Sequence, residues 1–343
     1  MLIINKILNF QEKFKLKKKN IIIVSSVSVI KKNIIKKFIK SISNNNRLSF
    51  YSNVRPGAYL KDLKKLLKYK TPDIIIAIGG GSVIDISKAF SCLKLNTEKE
   101  LELKKINKIK LIVIPTISGS GAESSKGAIL KTESNKKIAF RSTHLIPDHV
   151  ILDLALLQTA PKKLRCECLF DCLSHAIETY LSKKSLNKTK KTSVKCIKDL
   201  LKINYKNIDH IKNQKIISIN SYKMGINLVK STTCLPHRIQ YSLSKHTNMT
   251  HAQSIIALYK GWLEIVSKTE KFKQLEKKVI LNKNLKDKIK KLKKNLHLKH
   301  NLKKLKLDKK KINLITNNTK GTLSLDPCFQ SKKTIKKIIE LSL

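Results

Sequence analysis

Glycine is scarce in this chain: ten residues among 343. Aromatic residues make up only 5%, with a single tryptophan, and 23 acidic residues face 73 lysines and arginines. Each shortage excludes something. So few aromatic rings offer a poor platform for stacking nucleic-acid bases. No apolar run reaches membrane-spanning length, and the opening MLIINKILNFQEKFKLKKKN is too charged for a signal peptide. Seven cysteines is an odd number in a long chain, which argues against a disulfide framework and for a reducing, cytoplasmic setting. Cys166, Cys168 and Cys172 crowd together without a standard zinc or cluster spacing, and read as small core residues. No internal repeat is found.

What is present suffices for a folded protein. Hydrophobic residues make up 41%, enough for a buried interior, and 343 residues suit two domains. The net charge of +50 comes almost wholly from lysines spread along the chain beside many isoleucines and asparagines. That pattern reads as compositional drift rather than as one basic stripe for nucleic acid. No specific nucleic-acid partner and no membrane partner is expected. The charge still favours small anionic substrates.

The first half alternates between apolar runs and amphipathic stretches. Strands are expected at Asn20–Ser25, Leu48–Ser52, Asp73–Ile78 and Lys110–Ile114, with helices at Val29–Ile42, Tyr59–Leu67 and Ser82–Cys92. Continuous apolar runs mark strands covered on both faces, and the alternation marks a parallel, doubly wound sheet. Two short strands follow at Ala128–Leu130 and Val150–Leu152. After about Thr159 glycine nearly vanishes and helical periodicity takes over. The expected organisation is an α/β domain over residues 1–158, with a Rossmann-like parallel sheet, and a helical domain over 159–343. The lysine-rich stretch from Lys271 to Lys311 carries leucine and isoleucine at helical spacing, which predicts solvated helix faces.

Half of the glycines stand in two places. Gly79, Gly80 and Gly81 follow the third strand and precede Ser82, an expected N-cap. A strand, a glycine turn and a helix N-terminus form an anion cradle, because bare backbone N–H groups and the helix dipole meet the phosphate. The second loop, Pro115-Thr116-Ile117-Ser118-Gly119-Ser120-Gly121, follows the fourth strand. Open α/β sheets bind ligands at the carboxyl ends of their strands. Two such loops on consecutive strands point to a nucleotide.

Farther on, LFDCLSHAIETY places Asp171 and His175 four residues apart on one helix face. His237 and His251 follow, fourteen residues apart. A carboxylate and imidazoles suit a divalent ion. Taken singly, an Asp–His helix pair and two surface histidines read equally well.

Together these segments resemble the iron-containing alcohol dehydrogenase family over most of the chain. DIIIAIGGGSVIDISKAF resembles the family's pyrophosphate loop, which implies Gly79, Gly80, Gly81 and Ser82 on phosphate, with Asp85 and Lys88 along the following helix. VIPTISGSGAES resembles its second cofactor loop, implying Thr116, Ser118 and Ser120, with Lys137 beside the nucleotide. LFDCLSHAIETYLS and the segment from Leu235 resemble its metal regions, implying Asp171, His175, His237 and His251 as ligands of Fe2+ or Zn2+. The resemblance implies hydride transfer between NAD or NADP and a small alcohol or aldehyde, in a homo-oligomer.

Departures from the family pattern are specific. Ser26 replaces an aspartate near the adenosine ribose, which opens the site to NADP. Leu169 replaces a glycine, Ala252 another, and Tyr241 a histidine; Tyr241 becomes the candidate for orienting substrate or passing a proton. Glu178 reads as a solvated helix residue, with a brace for His175 as the other reading. Rival readings are a reductase of phosphonoacetaldehyde or a sugar-derived substrate, a dehydroquinate synthase-like lyase, and a basic nucleic-acid-binding relic.

Overall fold

The computed structural model describes residues 1–92, 94–97, 100–102, 108–134, 136–280 and 284–343. Their contacts divide the chain into two compact units, Met1–Pro161 and Lys162–Leu343.

The first unit is built on a six-stranded, wholly parallel sheet. Its strands are β1 (Leu2–Ile4), β2 (Asn20–Ser25), β3 (Arg47–Tyr51), β4 (Ile74–Gly79), β7 (Lys110–Pro115) and β10 (His149–Leu152), in the order β1-β10-β7-β4-β2-β3. Two antiparallel pairs lie outside it: β5 (Lys94–Thr97) with β6 (Glu100–Glu102), and β8 (Gly127–Lys131) with β9 (Lys137–Arg141). The helices are α1 (Phe10–Phe14), α2 (Val27–Ile30), α3 (Asn33–Ser43), α4 (Leu60–Leu66), α5 (Gly81–Cys92) and α6 (Leu154–Gln158).

The period of two along each strand explains the layering. Ile22, Val24, Ile75, Ala77, Leu111 and Val113 face one way, onto Leu63 and Leu66 of α4 and Val83 of α5. Ile21, Ile23, Ile74, Ile76, Ile112 and Ile114 face the other, onto Phe10 of α1 and Ile35 and Phe38 of α3. Both faces are covered, so the strands carry no alternation of apolar and polar residues. The edge strands are the exceptions: four of the five residues of β3 and two of the three of β1 are at least partly exposed.

The expected helix over Val29–Ile42 is divided. Lys32 takes an extended conformation between α2 and α3, so the chain turns there. β1 was not expected: three residues are too few for a pattern, and they become a strand by pairing with β10.

The second unit is helical throughout its described residues: α7 (Lys162–Leu181), α8 (Asn187–Leu200), α9 (Ile211–Lys230), α10 (Leu235–Leu243), α11 (His251–Val266), α12 (Glu270–Val279), α13 (Leu285–Asn295), α14 (Lys309–Asn318) and α15 (Lys332–Ser342). α7 packs against α8, α9 and α11. Nearly all of α7 from Cys166 onward is buried, as a central helix requires. α11 lies close against α15, and a Cβ at Gly261 would collide with the Ile338 carbonyl oxygen. The lysine-rich helices behave as expected. In α12, Phe272, Leu275 and Val279 turn inward while Lys277 and Lys278 occupy the last turn; α13 does the same with Leu285, Ile289 and Leu292. All seven cysteines are buried, and none is joined in a disulfide. No described helix is long and apolar enough to cross a membrane.

Candidate metal centre and nucleotide loops

The nucleotide loops are neighbours because of sheet register. β4 and β7 pair residue for residue, from Ile74 with Lys110 to Gly79 with Pro115, so their loops emerge side by side. The Thr116 N–H donates to the Gly79 carbonyl at 3.1 Å, and Gly80 lies against Ile117. The chain leaves β2 toward β3 on one side and β4 toward β7 on the other, so the strand order reverses between β2 and β4. Such a reversal opens the crevice where doubly wound sheets bind ligands. Gly79 is needed for packing: a Cβ there would come within 2.5 Å of Val83 Cγ2. At Gly81 the nearest heavy atom to an added Cβ is Ser120 Oγ at 3.5 Å, an ordinary contact. Thr116 and Ser118 are buried within the second loop.

One expectation changes, and two residues of α5 gain partners. Ser82 is not an N-cap, because α5 already begins at Gly81; its Oγ accepts from the Gly57 N–H at 2.8 Å. This tie brings in the turn Arg55-Pro56-Gly57, which nothing in its composition had marked as part of the site. Lys88 lies on α5, the helix that follows the glycine turn, as the resemblance implies. It is fully buried, and its Nζ donates to Ala122 O at 2.7 Å, Gly127 O at 2.6 Å and Ser125 Oγ at 3.1 Å. Three donors meet three acceptors, so Lys88 holds the second loop to α5. Asp85 does similar work: its Oδ2 accepts from the Ile129 N–H at 3.1 Å. Burial pushes the Asp85 carboxyl up to about 6, against the opposing charges of Lys88 and Lys137. Burial likewise lowers the Lys88 ammonium to about 8, in spite of Asp85 and Glu123. Lys137 starts β9, opposite Lys131.

In the second unit Asp171, His175, His237 and His251 converge. One donor atom from each lies within 4.8 Å of all the others. Asp171 Oδ1 stands 4.0 Å from His175 Nδ1, 3.8 Å from His237 Nε2 and 3.7 Å from His251 Nε2. Ligands held about 2.0–2.2 Å from one ion in a tetrahedral array lie about 3.3–3.6 Å apart. The three distances from Asp171 are only slightly wider. Asp171 Oδ1 and His237 Nε2 are buried with no hydrogen-bond partner. Buried polar atoms left so are costly, and a shared cation satisfies both. The donor set of one carboxylate and three imidazoles fits a divalent transition ion. Burial alone would raise the Asp171 carboxyl, but the surrounding imidazoles outweigh it and hold it well below the usual carboxylate range.

Glu178 corrects the sequence reading in both its forms. It is fully buried, and it grips His237 rather than His175: both carboxylate oxygens lie 2.9 Å from His237 Nδ1. It also accepts from the Cys234 N–H at 2.7 Å and the Tyr259 hydroxyl at 3.2 Å. Burial would lower the His237 imidazole, but Glu178 and Asp171 push it up to about 9. The start of α10, which carries His237, is fixed by Asp326. That buried carboxylate accepts from the Leu235 N–H at 2.8 Å and from Trp262 Nε1 at 2.9 Å. Asp326 was not singled out beforehand, although it is the lone acid of the segment NTKGTLSLDPCFQSKK, which could have marked it. Tyr241 stands one helical turn beyond His237 on α10 and is partly buried.

Comparisons with known proteins agree with this architecture. Residues 4–154 match the model of iron-containing alcohol dehydrogenase, and residues 167–343 match the C-terminal model of the Fe-containing alcohol dehydrogenase family. An alcohol dehydrogenase of Thermococcus barophilus is 32% identical over 152 residues, covering 41% of this chain and 40% of that protein. NADH-dependent butanol dehydrogenase A of Clostridium acetobutylicum is 25% identical over 270 residues, covering 72% of this chain and 68% of that enzyme. The chain spans less than half the length of the first curated relatives it matches. The crystal structure of an iron-containing alcohol dehydrogenase from Thermotoga maritima superposes with a TM-score of 0.84 at 20% identity, covering 100% of this chain and 97% of that one. On these matches the chain belongs to the iron-containing alcohol dehydrogenase family.

Proposed function

We propose that this chain is an NAD(P)-dependent, metal-assisted oxidoreductase that interconverts a small alcohol and its aldehyde. The observation that carries the reading is the convergence of Asp171, His175, His237 and His251, in which two buried donor atoms are left without hydrogen bonds. Family membership and the butanol dehydrogenase of Clostridium acetobutylicum among the relatives support an alcohol as substrate.

Each unit has its part in this reading. In the first, the backbone at Gly79, Gly80 and Gly81 receives the pyrophosphate, with Thr116, Ser118 and Ser120 offering hydroxyls and Lys137 a charge. Asp85 and Lys88 keep the two loops in register. Ser26 brings no negative charge to the turn after β2, so NADP is accepted as well as NAD. In the second, the quartet holds Fe2+ or Zn2+. The ion, when bound, supplies Lewis-acid polarisation of the substrate oxygen, and the nicotinamide supplies or receives the hydride. Glu178 holds the proton on His237 Nδ1, which keeps the Nε2 lone pair directed at the quartet. Tyr241, in place of a histidine, orients the substrate or relays its hydroxyl proton.

The test is turnover of short-chain aldehydes, anionic ones included, with NADH and NADPH after loading with Fe2+ under anaerobic conditions or with Zn2+. Oxidation of the nicotinamide that stops on chelation supports the reading. No oxidation of either cofactor with any aldehyde and either ion contradicts it.

A further inference from the structure

Helix α7 carries a third acidic residue on the face that holds the quartet. Glu167 precedes Asp171 by four positions, as Asp171 precedes His175, so the three are stacked at successive turns. Glu167 is only 2% exposed. A buried carboxylate is tolerated only when its oxygens are engaged. Two side chains meet this demand. Gln253 Nε2 donates to Oε1 at 3.1 Å and Oε2 at 3.3 Å, and His300 Nε2 lies 2.9 Å from Oε1.

Gln253 also works in the opposite direction. Its Oε1 accepts from the Thr250 N–H at 3.1 Å, while Thr250 Oγ1 accepts from the Gln253 N–H at 3.3 Å. This is a complete capping box at the start of α11. His251 is the first residue of that helix. Its side chain is 35% exposed, whereas those of Asp171, His175 and His237 are at most 5% exposed. The quartet's most exposed member therefore sits on a terminal turn, where helices fray.

We propose that Glu167 is a positioning residue for His251. Through Gln253 it fastens the first turn of α11 to α7, and His300 holds Glu167 in place. The inference rests on the reading of the quartet as a metal site. Glu167 touches neither substrate nor ion in this role; it acts by restraining the turn that carries His251.

The test uses the full chain and Co2+, whose visible bands report ligand geometry. Affinity is measured by competition with a chelator for the wild type and for Glu167→Ala, Gln253→Ala, the double variant and Glu167→Gln. The expected loss is 10- to 100-fold for each alanine variant, the usual range for residues that orient metal ligands. The double variant should lose no more than the worse single one, because both break one linkage. Glu167→Gln, whose carbonyl still accepts from Gln253, should recover most of the affinity and the wild-type bands. Wild-type affinity and bands in Gln253→Ala, a substitution at a partly exposed site, would overturn the proposal. So would losses that add in the double variant. If the wild type itself binds no Co2+, the metal reading fails instead.

Discussion

Glu178 holds His237 by the ring nitrogen that faces away from Asp171: both carboxylate oxygens lie 2.9 Å from Nδ1, while Nε2 faces Asp171 Oδ1 at 3.8 Å. This arrangement fixes the ring's orientation and keeps a proton on Nδ1, so that Nε2 is the nitrogen that gives up its proton to an ion. Glu178→Gln places an amide against three buried donors, so one of them loses its acceptor. The expected result is a 10- to 100-fold weaker hold on the divalent ion, measured by chelator competition. Unchanged affinity would mean that the Glu178–His237 contact serves packing alone.

The glycine turn separates packing from ligand approach. Gly81→Ala adds a methyl at 3.5 Å from its nearest neighbour, so the melting temperature should stay near the wild-type value. Nucleotide affinity should nevertheless fall at least tenfold, because the methyl stands where the phosphate approaches. Gly79→Ala adds one within 2.5 Å of Val83 and should destabilise the fold by about 1–3 kcal/mol. Fluorescence titration with NADH and NADPH, beside thermal melts, distinguishes the two. Full nucleotide affinity in Gly81→Ala would remove the turn from the cofactor site.

The turn after β2 bears on cofactor choice. Ser26→Asp puts a carboxylate where a 2′-phosphate is expected to lie. Affinity for NADPH should drop about tenfold relative to NADH, since like charges repel over this range. Equal changes for both cofactors would show that the ribose lies elsewhere.

Asp85 gives a pH signature. Burial raises its carboxyl to about 6 from the ordinary 3.8. Between those values the folded state binds a proton that the unfolded state has released. This group's contribution to stability is therefore largest near pH 4 and is lost as pH rises through 6. Asp85→Asn keeps an acceptor for the Ile129 N–H and removes the titration. Denaturant midpoints of the metal-free protein should fall more steeply from pH 4 to pH 6 in the wild type than in the variant. Parallel slopes would show that Asp85 titrates at its ordinary value.

The sheet was legible because β2, β4 and β7 are continuous apolar runs that only a doubly covered strand accommodates. The loops were legible because a glycine-poor chain concentrates its glycines there. Residue type and order, with the family resemblance, brought out the quartet. Its supports were hidden for a physical reason: their partners lie far away along the chain. Glu178 meets His237 across 59 residues, Leu235 meets Asp326 across 91, and Glu167 meets His300 across 133. Helical periodicity alone leaves Glu167 and Glu178 indistinguishable from solvated acids, and only the packing of α7 against its neighbours shows that they are buried; Asp326 stands outside the α-helices, where no period applies. The partners of Lys88 were hidden in the same way: Ala122 and Gly127 lie 34 and 39 residues farther along the chain.

The most direct test of the account is the metal content of the purified chain after loading with Fe2+ or Zn2+ and removal of excess ion, measured by mass spectrometry beside His251→Ala and Asp171→Ala. The account predicts one divalent ion per wild-type chain, a sharply reduced content in His251→Ala and none in Asp171→Ala. A wild-type chain that holds no ion, or an Asp171→Ala variant that keeps a full one, would contradict it.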